Sequence, residues 1–171
     1  MPPFPDLSAT ARSRPDDATW RGTAPAWWPW GLGLVVGLVV IGPGLGAGPL
    51  LSLDLLVTPE ISVPNGVYGL GPGLSQRVPL FALFAAGSAL VGGPLATKAL
   101  LVAFIAVGFA GAARLARLFG AGVVAVGPVA QVAAAVLWAA GPYALTRIGA
   151  GHLNLLWVVA VLPWALPRLC R

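Results

Sequence analysis

Charged residues, cysteine and histidine are all scarce in this 171-residue sequence. Charged residues make up 9 % of it, whereas ordinary soluble domains carry about 25 %. The single cysteine, Cys170, excludes a disulfide framework and a thiolate metal site. The single histidine argues against a zinc centre. These shortages exclude an ordinary soluble domain and a small disulfide-rich or zinc-binding fold.

Apolar residues are what the sequence has in excess. They account for 58 % of the chain, and the mean hydropathy is +0.88. The stretches 31–41, 99–113 and 123–140 contain no charged residue, and exposed helices of that composition are not tolerated in water. We therefore predict an all-α, polytopic helical membrane protein, with the lipid bilayer as its surroundings.

The net charge of +5 does not indicate nucleic-acid binding. The basic residues occur singly or in pairs at the ends of apolar runs, and they do not form a patch interleaved with stacking aromatic residues. Such placement is typical of membrane proteins, in which Lys and Arg orient the chain. We expect no nucleic-acid partner.

The order of apolar segments predicts four membrane spans. Residues 1–26 are rich in Pro, Ser, Thr and charge, and are predicted to form a disordered cytoplasmic tail. A cleaved signal peptide is the less favoured alternative, because a long mixed-charge stretch precedes the first apolar run. An extracytoplasmic loop is predicted at 49–96 and a short outer loop at 142–152. The spans are predicted at 27–48, 97–117, 121–141 and 153–171, the last with a cytoplasmic end.

A shorter apolar segment at 78–93 lies inside the first outer loop. Its length is below the roughly 20 residues of a span. If it does not span and the N-terminus is cytoplasmic, seven basic residues lie inside and three outside; if it does span, each side holds five. The first distribution obeys the positive-inside rule, so we predict an interfacial helix. The inside residues are Arg12, Arg14, Arg21, Arg114, Arg117, Arg168 and Arg171, and the outside residues are Arg77, Lys98 and Arg147.

Aromatic and small residues open the first span. Trp27, Trp28 and Trp30 stand at its edge, where indole rings suit the headgroup layer. Gly33 and Gly37 form a small-xxx-small pair, which predicts the close approach of another helix.

Carboxylates are rare beyond the tail. Asp54 and Glu60 are the only two after Asp17, and both lie in the first outer loop. In one interpretation they keep that loop hydrated. In the other, Asp54 is an acid or base at the edge of the membrane. The residues by themselves leave both interpretations open.

A second polar cluster lies in the predicted loop at 142–152. It contains Tyr143, Arg147 and His152. An arginine can hold phosphate through its planar fork, and a histidine can donate to the same anion or carry a proton. Alternatively, Arg147 and Tyr143 reach lipid headgroups while His152 caps nearby backbone.

Three stretches, taken in order, carry a family resemblance. They are Leu53-Asp54-Leu55 with Pro59, then Gly69-Leu70-Gly71 with Arg77-Val78-Pro79, and then Pro142-Tyr143 through Arg147 and Gly151-His152 to Leu162-Pro163-Trp164. The series resembles bacterial GT-C glycosyltransferases, which use polyprenyl-phosphate sugars, and especially actinobacterial arabinofuranosyltransferase-like and mannosyltransferase-like membrane proteins. It covers only the N-terminal portion of such enzymes, so we expect this chain to belong to a longer protein.

The resemblance implies transfer of a sugar, with inversion, from a polyprenyl-phosphate-linked donor to a cell-envelope glycan or lipid acceptor. The reaction would take place on the extracytoplasmic side of the plasma membrane. Asp54 would be the general base and Glu60 a second acid, while Arg147, His152 and Lys98 would bind the donor phosphate. No organic cofactor and no metal ligands are implied, and the need for a divalent cation stays open. The alternatives are a non-catalytic membrane subunit, a part of a transporter, or an inactive truncated fragment.

Overall fold

The computed structural model describes residues 25–52, 55–56, 78–120 and 126–169. A 3₁₀ turn, Gly42–Leu45, continues the first helix, and two short strands, β1 (Leu51–Ser52) and β2 (Leu55–Leu56), pair antiparallel. The predicted helical membrane fold is confirmed. The helices are α1 (Trp28–Ile41), α2 (Val78–Val91), α3 (Gly93–Gly120), α4 (Pro128–Ala140), α5 (Pro142–Ala150) and α6 (Leu153–Leu169).

Three stretches of the described chain are long and apolar enough to cross a membrane. They are Trp28–Leu45, Gly93–Phe119 and Pro128–Ala150. Helix α6 has 17 residues, which is the lower end of the length that a span requires. Helix α2 has 14 residues and is therefore only about 21 Å long, well short of the roughly 30 Å hydrocarbon core.

Helix α3 is the centre of the bundle, and α1, α4 and α6 all pack against it. Phe109 of α3 is fully buried, and Phe104 and Ile105 are nearly so. Between Lys98 and Arg114 the helix carries no charge, over a length of about 24 Å. The helix therefore presents an apolar stretch close in length to the hydrocarbon core, with a cation at each end.

Gly33 and Gly37 allow α1 to approach α3 closely. A Cβ added to either glycine would lie 3.0 Å from a backbone atom of α3, at Ala106 and Val102 respectively. The close approach predicted for this glycine pair is confirmed. Because the later glycine faces the earlier residue of α3, the two helices are antiparallel.

Helix α6 runs parallel to α3. The Trp157 ring lies 5.2 Å from the Phe104 ring, and further along both helices Trp164 donates its Nε1–H to the Val107 carbonyl at 3.1 Å. Gly111 leaves space for this indole, since a Cβ there would lie 2.5 Å from Trp164 Nε1. The contact therefore depends on a glycine in α3.

Trp138 of α4 supplies a hydrogen bond that α6 lacks. Pro163 lies inside α6 and has no N–H, so the Val159 carbonyl, four residues earlier, loses its helical partner. Trp138 donates its Nε1–H to that carbonyl at 2.9 Å. An unsatisfied carbonyl is costly in an apolar environment, so this bond joins α4 to α6 at a point where α6 lacks an internal hydrogen bond.

The structure differs from the predicted outer loop at 142–152. Helix α5 occupies most of it, with Pro142 at its start and Gly151, at φ +80°, just past its end. Proline at the first helical position and glycine after the last turn are boundary residues of a helix. The predicted spans also shift: α3 begins at Gly93, before the predicted 97, and α4 begins at Pro128, after the predicted 121.

The bundle has two ends. We call the end at which α1 begins and α3 finishes the tail end; it carries Arg114, Arg117 and Arg168. We call the opposite end, where α3 and α6 begin, the loop end; it carries Lys98, Arg147 and His152. The described arginines predicted to lie inside are therefore gathered at one end, and the described cations predicted to lie outside are at the other.

Candidate functional site

The C-terminus of α5 builds the candidate site at the loop end. Gly151 adopts a left-handed backbone conformation, its N–H bonds back to the last turn of α5, and the N–H of His152 donates to the Arg147 carbonyl at 3.0 Å. These bonds form a Schellman motif, in which the second residue past the helix folds against the residue that starts the final turn. Here those two residues are His152 and Arg147.

The side chains of the pair also meet. Arg147 Nη1 lies 3.0 Å from His152 Nδ1. Because an arginine only donates, a hydrogen bond at this contact requires Nδ1 of His152 to be the acceptor. The two side chains predicted to act on one phosphate therefore lie side by side, and their contact arises from the geometry of a helix end. Their joint binding of an anion stays a prediction.

Tyr143 is the third member of the group. The Arg147 guanidinium carbon lies 5.1 Å from the centre of the Tyr143 ring, which is one turn earlier in α5. This is within the range of a cation–π contact. Arg147 Nε is buried, and it has no hydrogen-bond partner among the described residues. The guanidinium is therefore held on two sides while one N–H donor remains to be satisfied.

Lys98 lies at the same level of the bundle. Helices α3 and α6 are parallel, and Trp157 of α6 lies beside Phe104 of α3. Lys98 is about six residues before Phe104, and His152 is about as far before Trp157, so the two residues lie at the same level. The Lys98 side chain is 7 % exposed, and its Nζ donates to the Gly46 carbonyl at 2.5 Å. Lys98 thereby fixes the chain that follows α1 to the start of α3, and its role in phosphate binding stays a prediction.

The two carboxylates of the predicted site, Asp54 and Glu60, lie outside the described residues. The strands on either side of residues 53–54 pair with Ser52 opposite Leu55. Within the described ranges no group of three or more His, Cys, Asp or Glu side chains could hold a metal ion. The proposed roles of both acids, and the question of a divalent cation, stay predictions.

Sequence reasoning found Arg147 and His152 but placed them in a loop. The signal for a helix was present in Pro142 and Gly151, nine residues apart, at positions that suit the first turn and the C-terminal cap. Within such a helix Arg147 follows Tyr143 by four residues, so the two side chains lie on the same face.

No protein-family model, curated protein or solved structure matches the chain.

Proposed function

We propose that the chain is part of a membrane glycosyltransferase that takes a sugar from a polyprenyl-phosphate donor and transfers it to a cell-envelope glycan or lipid. The observation that carries the proposal is the Arg147–His152 pair, with its buried Arg147 Nε. Beyond the Nη1 contact with His152, the guanidinium has further N–H donors, and such a fork can bind a phosphate through two parallel hydrogen bonds. The helical membrane fold agrees with a lipid-linked donor.

The proposed chemistry uses Asp54 as the general base. Its carboxylate takes the proton of the acceptor hydroxyl, and the acceptor oxygen forms a bond to the anomeric carbon. The bond from that carbon to the phosphate oxygen breaks, and the phosphate departs with the electron pair. Arg147, assisted by His152 and Lys98, stabilises the negative charge that develops on the phosphate. Glu60 is the second acid.

We also propose that the loop end faces the extracytoplasmic side of the plasma membrane and that the N-terminus is cytoplasmic. The support is the distribution of basic residues, since Lys and Arg favour the cytoplasmic side. Reporter fusions after Asn65 and after Ala121 test this orientation. We expect an extracytoplasmic signal at the first position and a cytoplasmic signal at the second; the reverse pattern would refute the orientation.

The catalytic proposal is tested with Asp54→Asn and Arg147→Gln in the protein as its host makes it. Sugar transfer in isolated membranes, from radiolabelled polyprenyl-phosphate sugars, should be abolished by the first change. It should fall about 100-fold or more with the second, the scale found when one donor to a developing charge is removed. Arg168→Gln is the matched control, because Arg168 is an exposed arginine at the tail end.

The same two variants separate binding of the lipid donor from the chemical step. Retention of undecaprenyl phosphate by the purified protein should be weakened by Arg147→Gln and unchanged by Asp54→Asn. If both variants retain the lipid and transfer sugar as the wild type does, the proposal is wrong. If Arg147→Gln loses the lipid but Asp54→Asn still transfers, Asp54 is not the base.

A further inference from the structure

The tail end contains a pocket that the proposed sugar transfer does not use. Its volume is about 70 Å³, and it lies between α1, α3, α4 and α6. A space of about 10–15 Å³ on this measure holds one water, so the pocket has room for a small polar group. Its principal lining side chains are Trp28, Trp30, Arg114, Arg117, Gln131 and Trp164.

Two arginines give the pocket a positive charge. Arg114 and Arg117 are three residues apart on α3, so they project from the same face of the helix. The structure describes no Asp or Glu anywhere in ranges 25–52, 55–56, 78–120 and 126–169. Within the described chain, neither arginine therefore has a carboxylate partner, and an anion from outside would meet two guanidinium groups.

Aromatic rings hold Arg114 in place. Its guanidinium carbon lies 5.3 Å from the centre of the Trp164 ring, within cation–π range. Trp164 is fixed in turn by its hydrogen bond to the Val107 carbonyl and by stacking on Trp30, with ring centres 5.6 Å apart. The arginine is therefore positioned by contacts between three helices, which lowers the entropy lost when it binds a ligand.

The position of the pocket identifies the kind of anion. It opens where the apolar part of α3 ends, and Trp27 and Trp30 at this end are 68 % and 42 % exposed. Exposed tryptophans at the end of an apolar helix are typical of the headgroup layer. Basic pockets between membrane helices are suited to acidic lipid headgroups. We propose that this tail-end pocket binds the phosphate of an anionic phospholipid.

The full chain in lipid nanodiscs provides the test. Nanodiscs are made from phosphatidylcholine alone or from equal parts of phosphatidylcholine and phosphatidylglycerol, and lipid that stays bound after transfer to detergent is measured by native mass spectrometry. The wild type should retain phosphatidylglycerol in preference to phosphatidylcholine. Arg114→Gln and Arg117→Gln should each weaken retention about fivefold, the value of one basic residue near an anionic membrane surface.

One control makes the result specific to the pocket. Arg168→Gln removes the same charge at the same end, but Arg168 does not line the pocket and its Nη1 donates to the Trp164 carbonyl at 3.4 Å; it should retain the lipid. Circular dichroism and the unfolding temperature show whether Arg114→Gln is folded. Arg117 has an exposed side chain, so Arg117→Gln is a second variant that is less prone to misfold.

Three outcomes would overturn the inference. Equal loss with Arg168→Gln would mean that diffuse charge, and not the pocket, attracts the lipid. Unchanged retention in folded Arg114→Gln and Arg117→Gln would mean that the lipid binds elsewhere. Full displacement by inorganic phosphate would make the ligand a free anion instead of a lipid. The inference does not depend on the proposed sugar transfer, because Arg114, Arg117 and Arg168 are all at the tail end, whereas Arg147 is at the loop end.

Discussion

The two ends of the bundle both present arginine, but they are built in different ways. At the loop end, Arg147 and His152 are five residues apart and are joined by the cap of one short helix. At the tail end, Arg114 is held by Trp164, which lies fifty residues further along the chain and itself depends on Val107 and Trp30. The first arrangement is local, whereas the second requires the packed bundle.

This difference has a consequence for stability and for function. A local cap persists as long as its helix persists, so the loop-end pair should survive changes that loosen helix packing. The tail-end pocket should not, because its side chains come from α1, α3, α4 and α6. Substitutions that affect one end and leave the other unchanged therefore test whether the two sites are independent.

The largest effect is expected from Gly111→Ala. The added Cβ would lie 2.5 Å from Trp164 Nε1 and 3.1 Å from Pro163 Cβ, so the indole must move. We expect a loss of about 1–3 kcal/mol in unfolding free energy, the usual cost of overpacking, together with greater quenching of tryptophan fluorescence by acrylamide.

The matched control is Gly108→Ala on the same helix, where the nearest atom to an added Cβ is at an ordinary 3.5 Å. It should leave both measurements close to the wild type. Equal destabilisation by the two changes would show that Trp164 is not specifically held by Gly111.

A smaller effect is expected from Trp138→Phe. It keeps an aromatic ring but removes the donor that satisfies the Val159 carbonyl beside Pro163. We expect a loss of about 1–2 kcal/mol, because a buried acceptor is left unpaired. Denaturation in mixed micelles measures it.

Trp157→Phe is the control for Trp138→Phe, since its contact with Phe104 is between rings and Phe can preserve it. If the two variants lose the same stability, ring size and not the hydrogen bond accounts for the cost. Hydrogen exchange at His152 should stay unchanged in both, because the loop-end cap is local.

The smallest effect is expected from Gly151→Ala, and it should be confined to the loop end. Gly151 has φ +80°, and a residue with a Cβ pays about 1–2 kcal/mol in that conformation. Part of this cost is avoided if the cap opens, so we expect a loss of about 1 kcal/mol. Faster hydrogen exchange at His152 would report the opening.

Gly149→Ala is the control, because Gly149 is inside α5 and an added Cβ meets no atom within 4 Å. It should slow exchange slightly, since alanine favours helix more than glycine does. Acceleration of exchange by Gly149→Ala would show that the cap is not the cause. A change in Trp164 quenching with Gly151→Ala would show that the two ends are coupled.

Membrane character and five of the six described helices could be predicted because they depend on composition and run length. Charge-free stretches of the length of α3 have no stable position in water. The glycine pair at Gly33 and Gly37 also predicted a close helix contact, which the packing of α1 on α3 confirms. The helix at Pro142–Ala150 was missed although Pro142 and Gly151 indicate its two ends, because polar residues near the end of a span also suit a loop.

The sequence by itself determined that this chain is a helical membrane protein, because long uninterrupted apolar runs with so few charges are typical of membrane-spanning helices, which pair their own backbone polar groups. It also placed Arg147 and His152 in one short segment, beside a glycine of the kind that ends helices. Only the tertiary structure decided that α3 is the central helix and that Arg114 lies over Trp164. Contacts between residues fifty positions apart depend on which helix faces meet, and a nearly uniform apolar surface does not encode that choice in its pattern.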